Sequence, residues 1–136
     1  MAFSFNGLSG AAVTLSGAVT QTLLPTGATQ IQKFQTRDLV ANTPETYYTP
    51  TAGKTLYITT LFVGTNGATD NVNVGDNITG NAQQLNTSRD NGINVDTPVA
   101  ASWAIHFPIP LKIVNALVGN TSTNANISIG FVGYEV

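Results

Sequence analysis

The 136-residue chain has no cysteine, one histidine, one tryptophan and one methionine. Without cysteine there is no disulfide, no thiolate metal ligand and no cysteine nucleophile. A single histidine, His106, excludes a site built from several imidazoles. Charge is equally scarce: only 9% of residues are Asp, Glu, Lys or Arg, and the formal net charge is −2, against roughly a quarter charged in ordinary soluble domains. The five basic residues (Lys33, Arg37, Lys54, Arg89 and Lys112) are scattered, so neither a nucleic-acid stripe nor a polybasic membrane segment is present. No apolar run approaches the ~18 residues of a membrane span. The N-terminal Met1-Ala-Phe-Ser-Phe-Asn lacks the positive n-region of a secretory signal. These features predict a protein made in the cytoplasm and not exported by the standard route, with no nucleic acid, membrane or cofactor among its partners.

What fills the chain instead is threonine (20) and asparagine (14), with a hydrophobic fraction of 42%. Threonine favours strands and asparagine favours turns. Strand signals fall at 30–39, 45–49, 55–64, 71–74, 82–87, 100–107, 111–115 and 126–134. Between them lie Pro44, Pro50-Thr-Ala-Gly53, Asn66-Gly67, Gly75-Asp-Asn77, Asn91-Gly92, Pro108-Ile-Pro110 and Gly119-Asn120, read as turns. Pro108 and Pro110 suit a sheet edge or a corner between sheets. Strict alternation over 56–63 puts Leu56, Ile58 and Phe62 on one face and Tyr57, Leu61 and Val63 on the other, as in a central strand with two apolar faces. In the last strand Ile127, Ile129 and Phe131 oppose Asn126, Ser128 and Gly130. No window has a helical amphipathic pattern. The fold class is all-β: a single β-sandwich, jelly-roll or Ig-like.

Residues 1–28 differ from the body, 29–136. They carry no charge, and a near-repeat runs Leu8-Ser-Gly-Ala-Ala-Val-Thr14 and Leu15-Ser-Gly-Ala-Val-Thr20. A helix is disfavoured there, since Gly10 and Gly17 each cost about 1 kcal/mol in a helix interior. The segment reads as an extended, Gly-jointed N-terminal arm seeking a protein surface. Its candidate contact residues are Phe3, Phe5, Leu8, Val13, Leu15, Val19, Leu23 and Leu24.

Candidate chemistry is thin. His106 lies in the apolar run Ser102-Trp-Ala-Ile-His-Phe107, where a hydrogen-bonded structural imidazole is the expectation. No Gly-x-Ser-x-Gly elbow supports a Ser-His-Asp triad, and Gly53-Lys54-Thr55 lacks the upstream spacing of a phosphate loop. Asp70-Asn-Val-Asn-Val-Gly-Asp-Asn77 holds oxygen ligands but not a calcium-loop pattern; it alternates like a strand. Asp90 and Asp96 beside Asn91-Gly92 read as hairpin chemistry rather than paired catalytic carboxylates. Four Asn-x-Ser/Thr acceptors, at Asn77, Asn86, Asn120 and Asn126, follow from composition. Tyr47, Tyr48, Tyr57, Trp103 and Tyr134 could stack on sugars; the expectation is that Tyr57 and Trp103 pack in the core and the others lie at sheet edges. The chain is therefore expected not to be an enzyme, with no catalytic, metal or cofactor residues.

Three stretches resemble small jelly-roll structural proteins of tailed bacteriophages. They are Tyr48-Thr-Pro-Thr-Ala-Gly-Lys-Thr-Leu-Tyr-Ile-Thr-Thr60, Phe107-Pro-Ile-Pro-Leu-Lys-Ile113 and Ile127-Ser-Ile-Gly-Phe-Val-Gly-Tyr-Glu135. The resemblance implies a capsid decoration (cement) protein on the virion surface, bound as a homotrimer to the major capsid protein lattice. Related sandwiches in tail, baseplate and fibre proteins imply the alternative of a receptor- or glycan-binding module. The resemblance covers about a quarter of the chain, all of it in the body, so the arm rests on its own composition.

Overall fold

A computed structural model describes residues 3–6, 12–15, 24–66, 69–78, 92–97 and 100–136. The expected strand at 82–87 and the arm residues Leu8, Val19 and Leu23 lie outside them. Ten strands appear: β1 (Phe3–Asn6), β2 (Ala12–Leu15), β3 (Thr29–Leu39), β4 (Glu45–Tyr48), β5 (Leu56–Thr65), β6 (Thr69–Asp76), β7 (Gly92–Thr97), β8 (Ser102–Ile113), β9 (Leu117–Thr121) and β10 (Ala125–Glu135). There is no helix among the described residues.

β1 and β2 pair antiparallel as a two-stranded sheet, with Phe3 opposite Leu15 and Phe5 opposite Val13. The body forms two four-stranded antiparallel sheets, ordered β3-β10-β5-β8 and β4-β9-β6-β7. The pairs β3·β10, β4·β9, β5·β8 and β6·β7 are nested one inside the next, as if one long hairpin were rolled up. The added pairings β10·β5 and β9·β6 close the roll into two sheets. That is the jelly roll expected from the short strands and frequent turns, and it displaces the Ig-like alternative.

The core lies between the sheets. Leu56, Ile58, Leu61, Val63, Ile127, Ile129 and Phe131 of the first sheet meet Tyr47, Val72, Val74 and Leu117 of the second. Burying each of these side chains stabilises the fold by up to roughly 1.5–3 kcal/mol. Ile127, Ile129 and Phe131 share the inner face as their alternation predicts. In β5 the phase breaks. Register shifts between Ile58 and Thr60 against β8, so Leu61 and Val63 rejoin Leu56 and Ile58 on the core side. Phe62 turns out with Tyr57. A bulge resets the period of two, and strict alternation fails beyond it.

The same bulge accommodates the two prolines. β8 runs unbroken from Ser102 to Ile113, but four residues, 107–110, stand opposite Thr59 alone. Pro108 and Pro110 sit in that excursion on an edge strand, where a missing N–H breaks no ladder bond. The expected end of the strand at 107 is thus a bulge within one strand. β9 and β7 occupy stretches read as turns from Gly119-Asn120 and Asn91-Gly92. Pro50–Gly53 is a turn as expected, with Lys54 N–H bonded to Thr51 C=O at 2.8 Å and Gly53 at φ +78°.

Candidate interaction surface

Pairing across a sheet places residues on a common face, which defines the outer face of β3-β10-β5-β8. One row is Phe34, Gly130, Phe62 and Ala104. Phe34 lies flat over Gly130, occupying the space a Cβ would take there, and its ring meets Phe62 at a centroid distance of 5.4 Å. This aromatic cover of a strand glycine gives Phe34, 59% exposed to solvent, a packing partner on the surface. The neighbouring row is small and polar: Thr36, Ser128, Gly64 and Ser102, with Thr36 and Ser128 hydroxyls 2.7 Å apart. Between the rows runs a shallow groove of about 370 Å³, which Trp103 also lines. Tyr134 stacks on Tyr57 at 5.3 Å and 16°. Thr60 Oγ1 and His106 Nδ1 are 2.9 Å apart. Register positions on this face carry only two formal charges, Asp38 and Lys112.

The candidate residues named from composition and spacing are distributed differently than expected. Tyr47 is the buried tyrosine: its hydroxyl donates to the Ile127 carbonyl at 3.0 Å, and the Arg37 guanidinium lies 5.6 Å over its ring. Burial pushes the Tyr47 hydroxyl far above its ordinary value, although Arg37 pulls the other way. Tyr57 belongs to the outer face, and Trp103, paired with Val63, is half-buried and lines the groove rather than joining the core. His106 is exposed and hydrogen-bonded. The 70–77 stretch is strand β6 up to Asp76, with Asn77 in the turn after it, and Asp76 is committed elsewhere. Its carboxylate accepts the backbone N–H groups of Val114 (3.0 Å), Asn115 (2.8 Å) and Ala116 (3.1 Å), fixing the β8–β9 connection. Among the described residues, no three His, Asp or Glu side chains converge as metal ligands would. Of the arm residues, Leu24 is half-buried, and the backbone of Phe3, Phe5, Val13 and Leu15 lies in β1 and β2.

Glu135 has no motif around it that would single it out in the sequence. It is 2% exposed, and its Oε1 accepts the Tyr48 hydroxyl at 2.8 Å and the Thr51 N–H at 2.9 Å. Burial alone would raise the carboxyl. Hydrogen bonds from the Thr51 side chain and amide and from Tyr48, with the Lys54 charge, outweigh it and hold Glu135 below the usual range. Tyr48 is pushed up to about 12 by burial and by its bond to Glu135. This cluster ties the β4–β5 turn to the last strand.

No protein-family model matches the chain, and a search of curated proteins returns no match. Solved structures do show similarity. One is a chain of Bacillus endospore appendages, described as disulfide-linked pili; it is 16% identical over 79% of this chain and 88% of that one, with a TM-score of 0.36. Another comes from the virus-like particle of the extra small virus of the giant freshwater prawn Macrobrachium rosenbergii. It is 14% identical over 88% of this chain and 86% of that one, with a TM-score of 0.38.

Proposed function

We propose that this protein is a non-enzymatic structural component of a protein assembly, and specifically a decoration protein that binds and stabilises a phage capsid as a trimer. The observation that carries the reading is the outer face of β3-β10-β5-β8. Its surface phenylalanine packs over Gly130 and against Phe62 yet stays largely exposed, its rows are neutral, and its two charges lie apart. A neutral face with an exposed aromatic desolvates at little electrostatic penalty, which favours contact with protein. Repeated in three subunits, a modest contact gains strength by avidity. The partner would be the major capsid protein lattice and the location the capsid surface, after synthesis in the host cytoplasm. The uncharged arm, residues 1–28, adds a second contact on this reading.

The test is co-sedimentation of the purified protein with capsids lacking it, with host cells as a parallel target. Saturable pelleting with capsids and greater heat resistance of the particles are expected. Phe34→Ser should weaken that binding while lowering the subunit's own stability by about 1 kcal/mol, from the lost Phe62 contact and the uncovered Gly130, which leaves the subunit folded. The stacked Tyr57–Tyr134 pair favours a second reading, a glycan- or receptor-binding tail module. Pelleting with cells but not capsids would select it and overturn the first.

A further inference from the structure

From Thr97 to Leu111 the chain carries no formal charge. This stretch holds both the most exposed large hydrophobic among the described residues and one side of the groove. Ile109 is 85% exposed, against 59% for Phe34 and Val40. It stands in the excursion of β8 where residues 107–110 face Thr59 alone. The excursion is nonetheless stiff. Pro108 and Pro110 have fixed φ, and each confines the residue before it, Phe107 and Ile109, to extended backbone. Both ends are anchored, since Phe107 packs against the core and Leu111 is part of it. A single exposed apolar side chain is ordinary on a protein surface. A preset one differs, because little backbone freedom remains to be lost when it is buried.

We infer that Ile109 is a knob that seats in the outer-face groove of a second copy of the chain. The groove is the matching hole: small Gly64 and Ala104 lie beside Phe34, Phe62 and Trp103, and none of its lining residues is charged. Its volume of about 370 Å³ falls at the lower end of small-molecule sites, which run from roughly 300 to 1,000 Å³, a size for one or two side chains. Within one copy the two cannot meet. Knob and groove lie along the same strand, and the His106–Thr60 pair stands between Ile109 and the Ala104–Phe62 pair of the groove. Five residues of strand span about 16 Å, several times the reach of an isoleucine. Between copies, one contact takes both apolar features out of water and desolvates no ion. A second copy is preferred to any other occupant because each subunit supplies both halves of the contact. Knob and hole are different surfaces, so the contact is head-to-tail, the kind that closes into a ring or runs on as a filament.

Such a contact joins the subunits of the proposed trimer and rests on that reading for its three-fold closure, but it is tested without capsids. Sedimentation over a range of concentrations should show the full-length parent self-associating. Ile109→Ser should weaken that association by roughly ten- to a hundredfold, the factor that burying one isoleucine supplies. At dilutions where both are monomeric its melt should match the parent's, since the side chain lies in water. The chain has no cysteine, so full-length Ile109→Cys and Ala104→Cys proteins can be mixed under mild oxidation, each also oxidised alone. A disulfide-linked heterodimer several-fold above either homodimer is expected. A parent that sediments as a monomer throughout, unchanged association of Ile109→Ser, or homodimers as abundant as heterodimers would overturn the inference. An Ile109→Ser protein that associates normally but no longer pellets with capsids would overturn it too, by seating the knob in the lattice. A monomeric parent that still pellets with capsids removes this contact and leaves capsid binding standing; association that depends on Ile109 without capsid pelleting leaves the contact and removes the capsid.

Discussion

Gly119→Ala should destabilise the fold, although glycine in a strand is normally a weakness. A Cβ at this position would lie 2.7 Å from Cε2 and 3.2 Å from Cδ2 of Tyr47, and 2.8 Å from Cδ1 of Ile129. Real Cβ atoms do not approach so closely, so something must shift. Tyr47 is held by its 3.0 Å bond to the Ile127 carbonyl and by Arg37 above its ring. Ile129 is 2% exposed in the middle of the core. Overpacking of this kind costs about 1–3 kcal/mol, whereas replacing glycine in a strand gains about 0.5–1 kcal/mol of backbone entropy. With two groups that cannot yield, the cost lies toward the upper part of its range, and overpacking wins by about 1–2.5 kcal/mol. Urea denaturation would read this as a fall in midpoint of roughly 0.5–1 M at unchanged slope. A double-mutant cycle isolates the cause. Tyr47→Phe removes the tether and costs about 1 kcal/mol alone, but it frees the ring to move, so the double variant should be less destabilised than the sum by at least about 0.5 kcal/mol. Gly119→Ala as stable as the parent, or strict additivity with Tyr47→Phe, would refute the reasoning.

Glu135→Gln tests the buried carboxylate. Its folded-state pKa is depressed, so its stabilisation is complete above the ordinary value of 4.5 and lost as pH falls through the lower folded value. Thermal melts should show the variant less stable than the parent at pH 7, with the two curves converging in acid; a constant difference down to pH 2 would contradict this. Asp76→Ala removes an acceptor for three backbone N–H groups. A loss of about 1–2 kcal/mol is expected, with faster amide exchange at residues 114–116; unchanged exchange there would show that the carboxylate does not hold the loop.

Alternation and turn chemistry make the fold class legible, and the last strand is readable residue by residue because nothing interrupts its period. Where sequence and structure part, the cause is shared: a residue's local preference is overruled by what lies across the sheet. Gly119-Asn120 looks like a turn, but Gly119 is there because Tyr47 and Ile129 leave no space for a side chain, and Asn120 is wholly buried in β9. Pro108 and Pro110 look like a strand end, but the bulge opposite Thr59 absorbs them. The Thr59-Thr60 pair conceals the phase change that exchanges Phe62 for Leu61 and Val63 in the core. The outer face of β3-β10-β5-β8 is illegible for the same reason. Phe34, Gly130, Phe62 and Ala104 are far apart in the chain, and only register aligns them. Tyr47 and Tyr57 are chemically identical, and only strand position makes one a core residue and the other a surface one.

The nested pairing also sets a schedule. β10 is central in its sheet, bonded to both β3 and β5, so that sheet has no middle until residues 125–135 have left the ribosome. β3 and β10 must meet across nearly the whole body of the chain; the Thr36–Ser128 hydroxyl pair alone bridges 92 positions. Such distant pairings form slowly, and during synthesis β3 waits with both of its edges open. A chain of this topology completes that sheet only after residues 125–135 have been made. β3, the first of the sandwich strands to be made, is thus paired only by one that follows all the others described, because β10 is its one neighbour in the sheet among the described strands.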